Sequence, residues 1–304
     1  MKLVFFGTSE IGVPILDALI QQHEVVAVVT SPDKATGRKQ IISPSPIASC
    51  AEGHGLLTYK PEKVKHNPEF LHTLQEHKAD LFIVVSYGKI LPVELLDIPR
   101  LKTINVHFSL LPKYRGPAPV QFALLNGEST TGTTIFILDE LVDHGPILAT
   151  AEMAIEPSDT NPTLQGKLAQ LSCTLLLETL PKYEAGQITP QEQNHDEATT
   201  TKIISKQDGR IDWQDSGVEI YNRFRAFQPW PGIYTEWQGK TLKILDCSPA
   251  VQPPNLSQGQ AQNELIGCGH NTALQLKTVQ LEGKIPVSIK DFLNGYPEFA
   301  TAQL

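Results

Sequence analysis

Residues 81–85 read Leu-Phe-Ile-Val-Val, five apolar side chains in succession, and stop at Ser86-Tyr87-Gly88. A strand with no polar alternation has neither face in water. It belongs in the centre of a parallel sheet, covered on both sides. Such a sheet needs crossover helices, and the first 22 residues begin that way. MKLVFFGTSEIGVPILDALIQQ reads as a strand over 3–6, a turn at Gly7, and a helix with Ile11, Ile15, Leu16 and Leu19 at helical spacing and Ser9 as its cap. EVVAVVTS follows as a second strand, near 24–31. The expectation is a doubly wound, mostly parallel, Rossmann-like α/β domain. It is not a dinucleotide site. Only Gly7 and Gly12 stand where G-x-G-x-x-G would need three glycines, and the second strand ends at Thr30 and Ser31, not at a ribose-binding acid.

The chain has 304 residues, enough for two domains, and 40% of them are hydrophobic. Residues 189–205 are polar, rich in Gln, Glu and Thr, and read as a linker between a first domain over 1–188 and a second over 206–304. The second has a different texture. A helix is expected over 216–226, capped by Ser216, then short strands with turn signals at 237–240, 259–264, 268–271 and Lys284. This pattern predicts a small β-barrel. A net charge of -8 means that nucleic-acid binding needs a local basic patch, not a basic chain. Cys50, Cys173, Cys247 and Cys268 are scattered, without a C-x-x-C pair, so free thiols in a reducing compartment are expected. His66, His72 and His77 lack metal-ligand spacing, and no metal is expected. Without a leader or a membrane-length apolar stretch, the expected location is cytoplasmic and the expected state a monomer.

The chemistry concentrates in 103–121, TINVHFSLLPKYRGPAPVQ. It begins as a strand in which Asn105 and His107 share one face, then passes into a loop pinned by Pro112, Gly116, Pro117 and Pro119. Asn can donate to an oxygen that becomes negative, and His can move a proton near neutral pH. Two further strands, over 133–138 and 147–155, flank a loop holding Asp139 and Asp143. A carboxylate there could orient His107. The long polar segment 31–49, with Lys34, Arg38 and Lys39, is compatible with a solvated loop or a binding loop. Ile90, Leu91 and Pro92 either start a helix or line a ligand site at a strand's carboxyl end.

The run NVHFSLLPKYRGPAPVQ resembles the signature of the formyltransferase family that uses 10-formyltetrahydrofolate. Its YRGPAPVQ extension, PDKATGRKQ in the long loop, and DW, RAFQPWPG, KILD and DFLNG near the end resemble the branch that formylates initiator methionyl-tRNA. The resemblance covers nearly the whole chain. It implies catalytic roles for Asn105, His107 and Asp143. A folate pocket would use Tyr87, Gly88, Ile90, Leu91 and Pro92 of SYGKILP, with Asp139 and Leu141. Arg38, Lys39, Ser109, Leu110, Leu111, Pro112, Arg223 and Lys243 would contact tRNA, with Arg225 and Lys240 extending a basic strip. The second domain would be OB-like. Leu141 departs from the family's usual Gly, which leaves the shape of that loop open. The small-amine alternative, a formyltransferase acting on a sugar nucleotide, shares the Asn, His and Asp but needs neither the basic loop nor the barrel.

Overall fold

The computed structural model describes residues 1–36, 41–250 and 256–304; Arg38 and Lys39 fall outside the described residues. The chain forms two compact units. The first comprises Met1–Pro119, Thr130–Ala154 and Gln165–Lys202; the second comprises Val120–Ser129, Ile155–Leu164 and Ile203–Leu304.

In chain order the first stretch contains β1 (Lys2–Gly7), α1 (Val13–Gln22), β2 (Glu24–Val29), the hairpin β3 (Lys34–Thr36) and β4 (Ile41–Ser43), α2 (Pro46–Gly53), β5 (Thr58–Tyr59) and α3 (Pro68–Glu76). Then come β6 (Leu81–Val85), α4 (Val93–Leu96), β7 (Thr103–His107), α5 (Pro119–Leu125), β8 (Thr130–Ile137), β9 (Ile147–Ala154) and α6 (Asn161–Glu184). The main sheet has the order β5-β2-β1-β6-β7-β8-β9. Its first five strands pair in parallel, and β8 and β9 add antiparallel pairs. The sheet is doubly wound, as β6 predicts: β6 lies between β1 and β7, and all five of its residues are buried.

Alternation within the strands divides the core between two faces. Val4 and Phe6 of β1, Ala27 and Val29 of β2, and Phe82 and Val84 of β6 share one cluster with Phe70 and Leu74 of α3 and Leu95 of α4. Ile15, Leu16 and Leu19 of α1 are completely buried. Pro68 opens α3 behind the Asn67 cap, whose side chain accepts from Phe70 N at 3.1 Å. Ser9 does not cap as expected. It precedes a single 3₁₀ turn, Glu10–Gly12, and its side chain makes no capping bond. At the carboxyl ends of the strands, Thr8 Oγ1 donates to Tyr87 O at 3.1 Å and lies 3.1 Å from Ser31 Oγ, which ties together the exits of β1, β2 and β6.

The second unit holds α7 (Gly217–Ala226), β10 (Ile233–Trp237), β11 (Lys240–Pro249), β12 (Ala261–Gln262), β13 (Leu265–Cys268), β14 (Thr272–Leu281), β15 (Val287–Ser288) and α8 (Ile289–Gly295). The strands form one antiparallel sheet in the order β10-β11-β14-β13-β12, with β15 on β14. The two longest strands, β11 and β14, are ten residues each and are not among the expected short strands: 237–240 spans the β10–β11 turn, 268–271 ends β13 in a 3₁₀ turn, and Lys284 lies in a turn. The hairpin between β10 and β11 turns through Gln238 and Gly239, both with positive φ, the combination that a two-residue turn matching strand twist requires. Ser216 caps α7 as expected, in a reciprocal box with Glu219. Trp237 packs edge-on against Phe292, Tyr296 and Phe299, which gives the DFLNG segment a core role. Among the described residues no helix is long and apolar enough to cross a membrane.

Candidate active site

A cleft of about 610 Å³ opens in the first unit at the carboxyl ends of β1, β6 and β7, where open α/β sheets bind ligands. Asn105, His107 and Asp143 all line it. The middle of β7 supplies Asn105 and its last residue is His107, which is 5% exposed. The loop after β8 supplies Asp143, 9% exposed.

Hydrogen bonds fix how these groups face one another. His107 Nε2 lies 2.9 Å from Tyr114 O. A carbonyl only accepts, so Nε2 carries the proton and Nδ1 is the nitrogen free to gain or lose one. Nδ1 faces Asp143 Oδ2 at 3.6 Å, an electrostatic contact longer than a hydrogen bond. Asp143 Oδ2 is held by the Gly116 N–H at 2.7 Å, and Asn105 Nδ2 donates to Oδ1 across 3.4 Å. Asn105 Oδ1 and Tyr87 Oη are buried and have no hydrogen-bond partner among the described residues. Burial pushes the Tyr87 hydroxyl up to about 12, so it remains a donor at neutral pH.

The loop's backbone answers the question raised by Leu141. The left-handed residue is Asp143, with φ 50°, and Leu141 is not among the positive-φ residues. Asp tolerates that region better than most side chains. The glycine that the loop does require is Gly145, because a Cβ there would collide with Ile137 O. Asp139 orders the rest: Oδ1 accepts from Leu141 N at 2.9 Å, and Oδ2 pairs with His144 Nδ1 at 2.7 Å.

Tyr87, Gly88, Ile90, Leu91, Asp139 and Leu141 line the same cleft. Ile90 is 77% exposed and Leu141 59%, an apolar rim. Pro92 instead precedes α4 as its cap residue. Lys34 and Lys89 also line the cleft. Burial, with the Lys34 charge second, lowers the Lys89 pKa, while Lys89 Nζ donates to Pro61 O and Glu62 O. Sequence reasoning passed over Lys89, although it stands inside SYGKILP. It also missed Tyr114 and Gly116, which act through backbone atoms.

The expected tRNA contacts are dispersed. Ser109 is fully buried and Leu111 is 6% exposed. Ser109 Oγ donates to Lys113 O, and Leu111 N donates to Thr134 Oγ1. Leu110 and Pro112 are half-buried beside them. In the second unit Lys243 is exposed on β11, and Arg223 pairs with Asp215 at 2.9 Å. Arg225 leaves the expected basic strip altogether. It is 6% exposed, with Nη1 donating to Asp159 O and Nη2 to Asn222 Oδ1. Trp230, between Pro229 and Pro231, is 57% exposed. Among the described residues one trio of potential metal ligands meets, Asp17, Cys50 and His54. Cys50 Sγ and His54 Nε2 both hydrogen-bond to Asp17 Oδ1, which accounts for the grouping.

The chain matches the formyl transferase family model over residues 1–180 and the formyl transferase C-terminal domain model over 203–297. It belongs to the formyl transferase family. Among its relatives, the methionyl-tRNA formyltransferase of Koribacter versatilis is 44% identical over 299 residues, covering 97% of this chain and 96% of the relative. That of Caldanaerobacter subterraneus is 42% identical, covering 97% of each. A Helicobacter canadensis N-formyltransferase, solved with folinic acid and dTDP-3-aminofucose, shares the fold with a TM-score of 0.68 at 19% identity, covering 91% of this chain and 98% of that one. HypX from Aquifex aeolicus, solved with tetrahydrofolic acid, shares it at 0.64 and 17% identity, covering 98% of this chain and 47% of HypX.

Proposed function

We propose that this formyl transferase moves the formyl group of 10-formyltetrahydrofolate to the α-amino nitrogen of methionine on initiator methionyl-tRNA. The convergence of Asn105, His107 and Asp143 on one cleft carries the proposal. Relatives at 39–44% identity over 97% of the chain support the acceptor. The cleft suits a folate-derived donor. Its rim is apolar at Ile90 and Leu141, and Tyr87 Oη and Asn105 Oδ1 are buried polar atoms that a bound donor and amine would satisfy.

In the reaction the amine attacks the formyl carbon, the bond from that carbon to the folate nitrogen breaks, and a proton passes from the amine to that nitrogen. Asn105 Nδ2 donates to the formyl oxygen as negative charge develops there. His107 is oriented by Tyr114 O, so its Nδ1, when protonated, donates to the same oxygen. Asp143 faces Nδ1 at 3.6 Å and assists the proton's passage from amine to leaving nitrogen. Leu91, Gly88 and Asp139 shape the donor side, and Pro92 acts through the start of α4.

On the acceptor side, Arg38, Lys39, Arg223 and Lys243 are proposed to meet phosphates, so tRNA affinity falls with added salt. The SLLP segment, Ser109 to Pro112, acts through the loop's shape, because Ser109 and Leu111 are buried. The same reading proposes a cytoplasmic monomer whose chemistry is done by side chains without a metal.

Labelled formyl donor tests the proposal when offered methionyl-initiator tRNA, free methionine and uncharged tRNA side by side. Label on the charged tRNA alone is expected. Equal labelling of small amines would replace the acceptor with a sugar nucleotide or similar amine.

A further inference from the structure

The polar stretch after α6 reaches the active-site loops. Gln191 exchanges two backbone hydrogen bonds with Ile147, at 2.7 and 2.8 Å, just past the loop that carries Asp143. Two residues on, the Gln193 side chain is 5% exposed. Its Nε2 donates to Asp143 O at 3.0 Å and to Gly145 O at 2.8 Å. Its Oε1 accepts from Arg115 Nε at 3.2 Å and Arg115 Nη2 at 2.6 Å. An amide has two N–H donors and one carbonyl, and here every one is used.

The two loops joined in this way are the two that hold the carboxylate. Asp143 stands on one. Gly116, whose N–H holds Asp143 Oδ2, follows Arg115 on the other. Arg115 is also fixed along its backbone, donating to Thr199 O at 2.8 Å and accepting from Thr201 N at 2.7 Å. Its Nη2 donates to His195 Nδ1 at 2.9 Å, and the His195 ring stacks on His144 with centroids 4.0 Å apart. Asp143 has a left-handed backbone, a conformation that persists when its surroundings over-determine it. The two N–H bonds from Gln193, which is not among the cleft-lining residues, supply that constraint.

We propose that Gln193 is a positioning residue for formyl transfer, locking the Asp143 loop to the Arg115–Gly116 loop so that the carboxylate is held at a fixed distance from His107. The inference rests on the catalytic role proposed above for Asp143. Positioning errors of about 1 Å cost on the order of 10²-fold in rate.

The test compares wild type with Gln193→Ala and Gln193→Glu in single-turnover transfer at saturating enzyme, beside hydrogen exchange of the Gly116 amide. Gln193→Glu keeps an acceptor for Arg115 but loses both donors to the loop carbonyls. Both variants are expected to transfer at least tenfold more slowly, with donor affinity within threefold of wild type. Gly116 is expected to exchange faster while β6 is unchanged. A purely structural role would lower the amplitude and leave the rate constant alone. A rate constant within twofold of wild type, or Gly116 exchange at the wild-type rate, would overturn the proposal. If wild type itself transfers no formyl, the activity is misassigned, and the exchange measurement still decides whether Gln193 holds the loops together.

Discussion

At the scale of the residue, the site is a set of polar atoms whose partners fix their chemistry. His107 is the clearest case. Tyr114 O assigns the proton to Nε2 and leaves Nδ1 as the working nitrogen, opposite Asp143. Asp143→Asn keeps an oxygen that can accept from Gly116 N–H and removes the negative charge that faces His107 Nδ1. It is predicted to lower kcat by about 10²-fold while the donor's KM stays within threefold, since general acid–base groups contribute of this order; steady-state kinetics would check it. Tyr87→Phe deletes a buried hydroxyl that no group among the described residues satisfies. The unfolding temperature should hold or rise, and the donor's KM should rise about threefold to tenfold, the worth of one neutral hydrogen bond. An unchanged KM would mean that the hydroxyl never meets the donor. Asn105 and His107 were legible in the sequence because strand alternation put them on one face beside a Pro-pinned loop. Gly116, Tyr114 and Gln193 were not. The first two act through main-chain atoms, which every residue shares. Gln193 sits in a stretch whose composition resembles that of any solvated linker.

At the scale of the element, the legible parts were those with strong local signals. LFIVV became a central buried strand, and Ser216 became a cap. The missed parts depended on partners far along the chain. β11 and β14 reach ten residues because they pair with each other, and no turn residue near either one encodes that length. Arg225 resembles a surface cation in sequence, yet it is buried against the carbonyls of Glu156 and Asp159. Two stability predictions belong to this scale. Phe6 is fully buried, with Phe82 at 5.4 Å and Tyr87 at 5.6 Å between ring centroids, so Phe6→Ala should cost about 3–5 kcal/mol. Ser216→Ala removes the acceptor for Glu219 N and should cost about 1 kcal/mol. Thermal unfolding of each variant against wild type would measure both, with the larger fall for Phe6→Ala.

At the scale of the whole molecule, the two units are interleaved in sequence: residues 120–129 and 155–164 belong to the second, although residues on either side of each belong to the first. Composition changes along a chain can suggest a single cut, but they cannot reveal segments that leave one unit and return. Thiols that are buried in the second unit and partly buried in the first set a common response to alkali. Burial raises Cys50, Cys247 and Cys268 to about 12 from an ordinary value of 9.0. A group with a raised folded pKa contributes its full stability below the unfolded value and loses it as pH climbs towards the folded one. Denaturant midpoints should therefore hold up to about pH 9 and fall between there and about 12; a midpoint that rose over that window would contradict the burial of these thiols. The central claim, that Asn105, His107 and Asp143 perform formyl transfer onto charged tRNA, is most directly tested by the single-turnover rate of formyl transfer to methionyl-initiator tRNA for wild type and Asn105→Ala. The account predicts transfer by wild type and a rate constant about 10² to 10³ lower in the folded variant. Near-equal rate constants would contradict it.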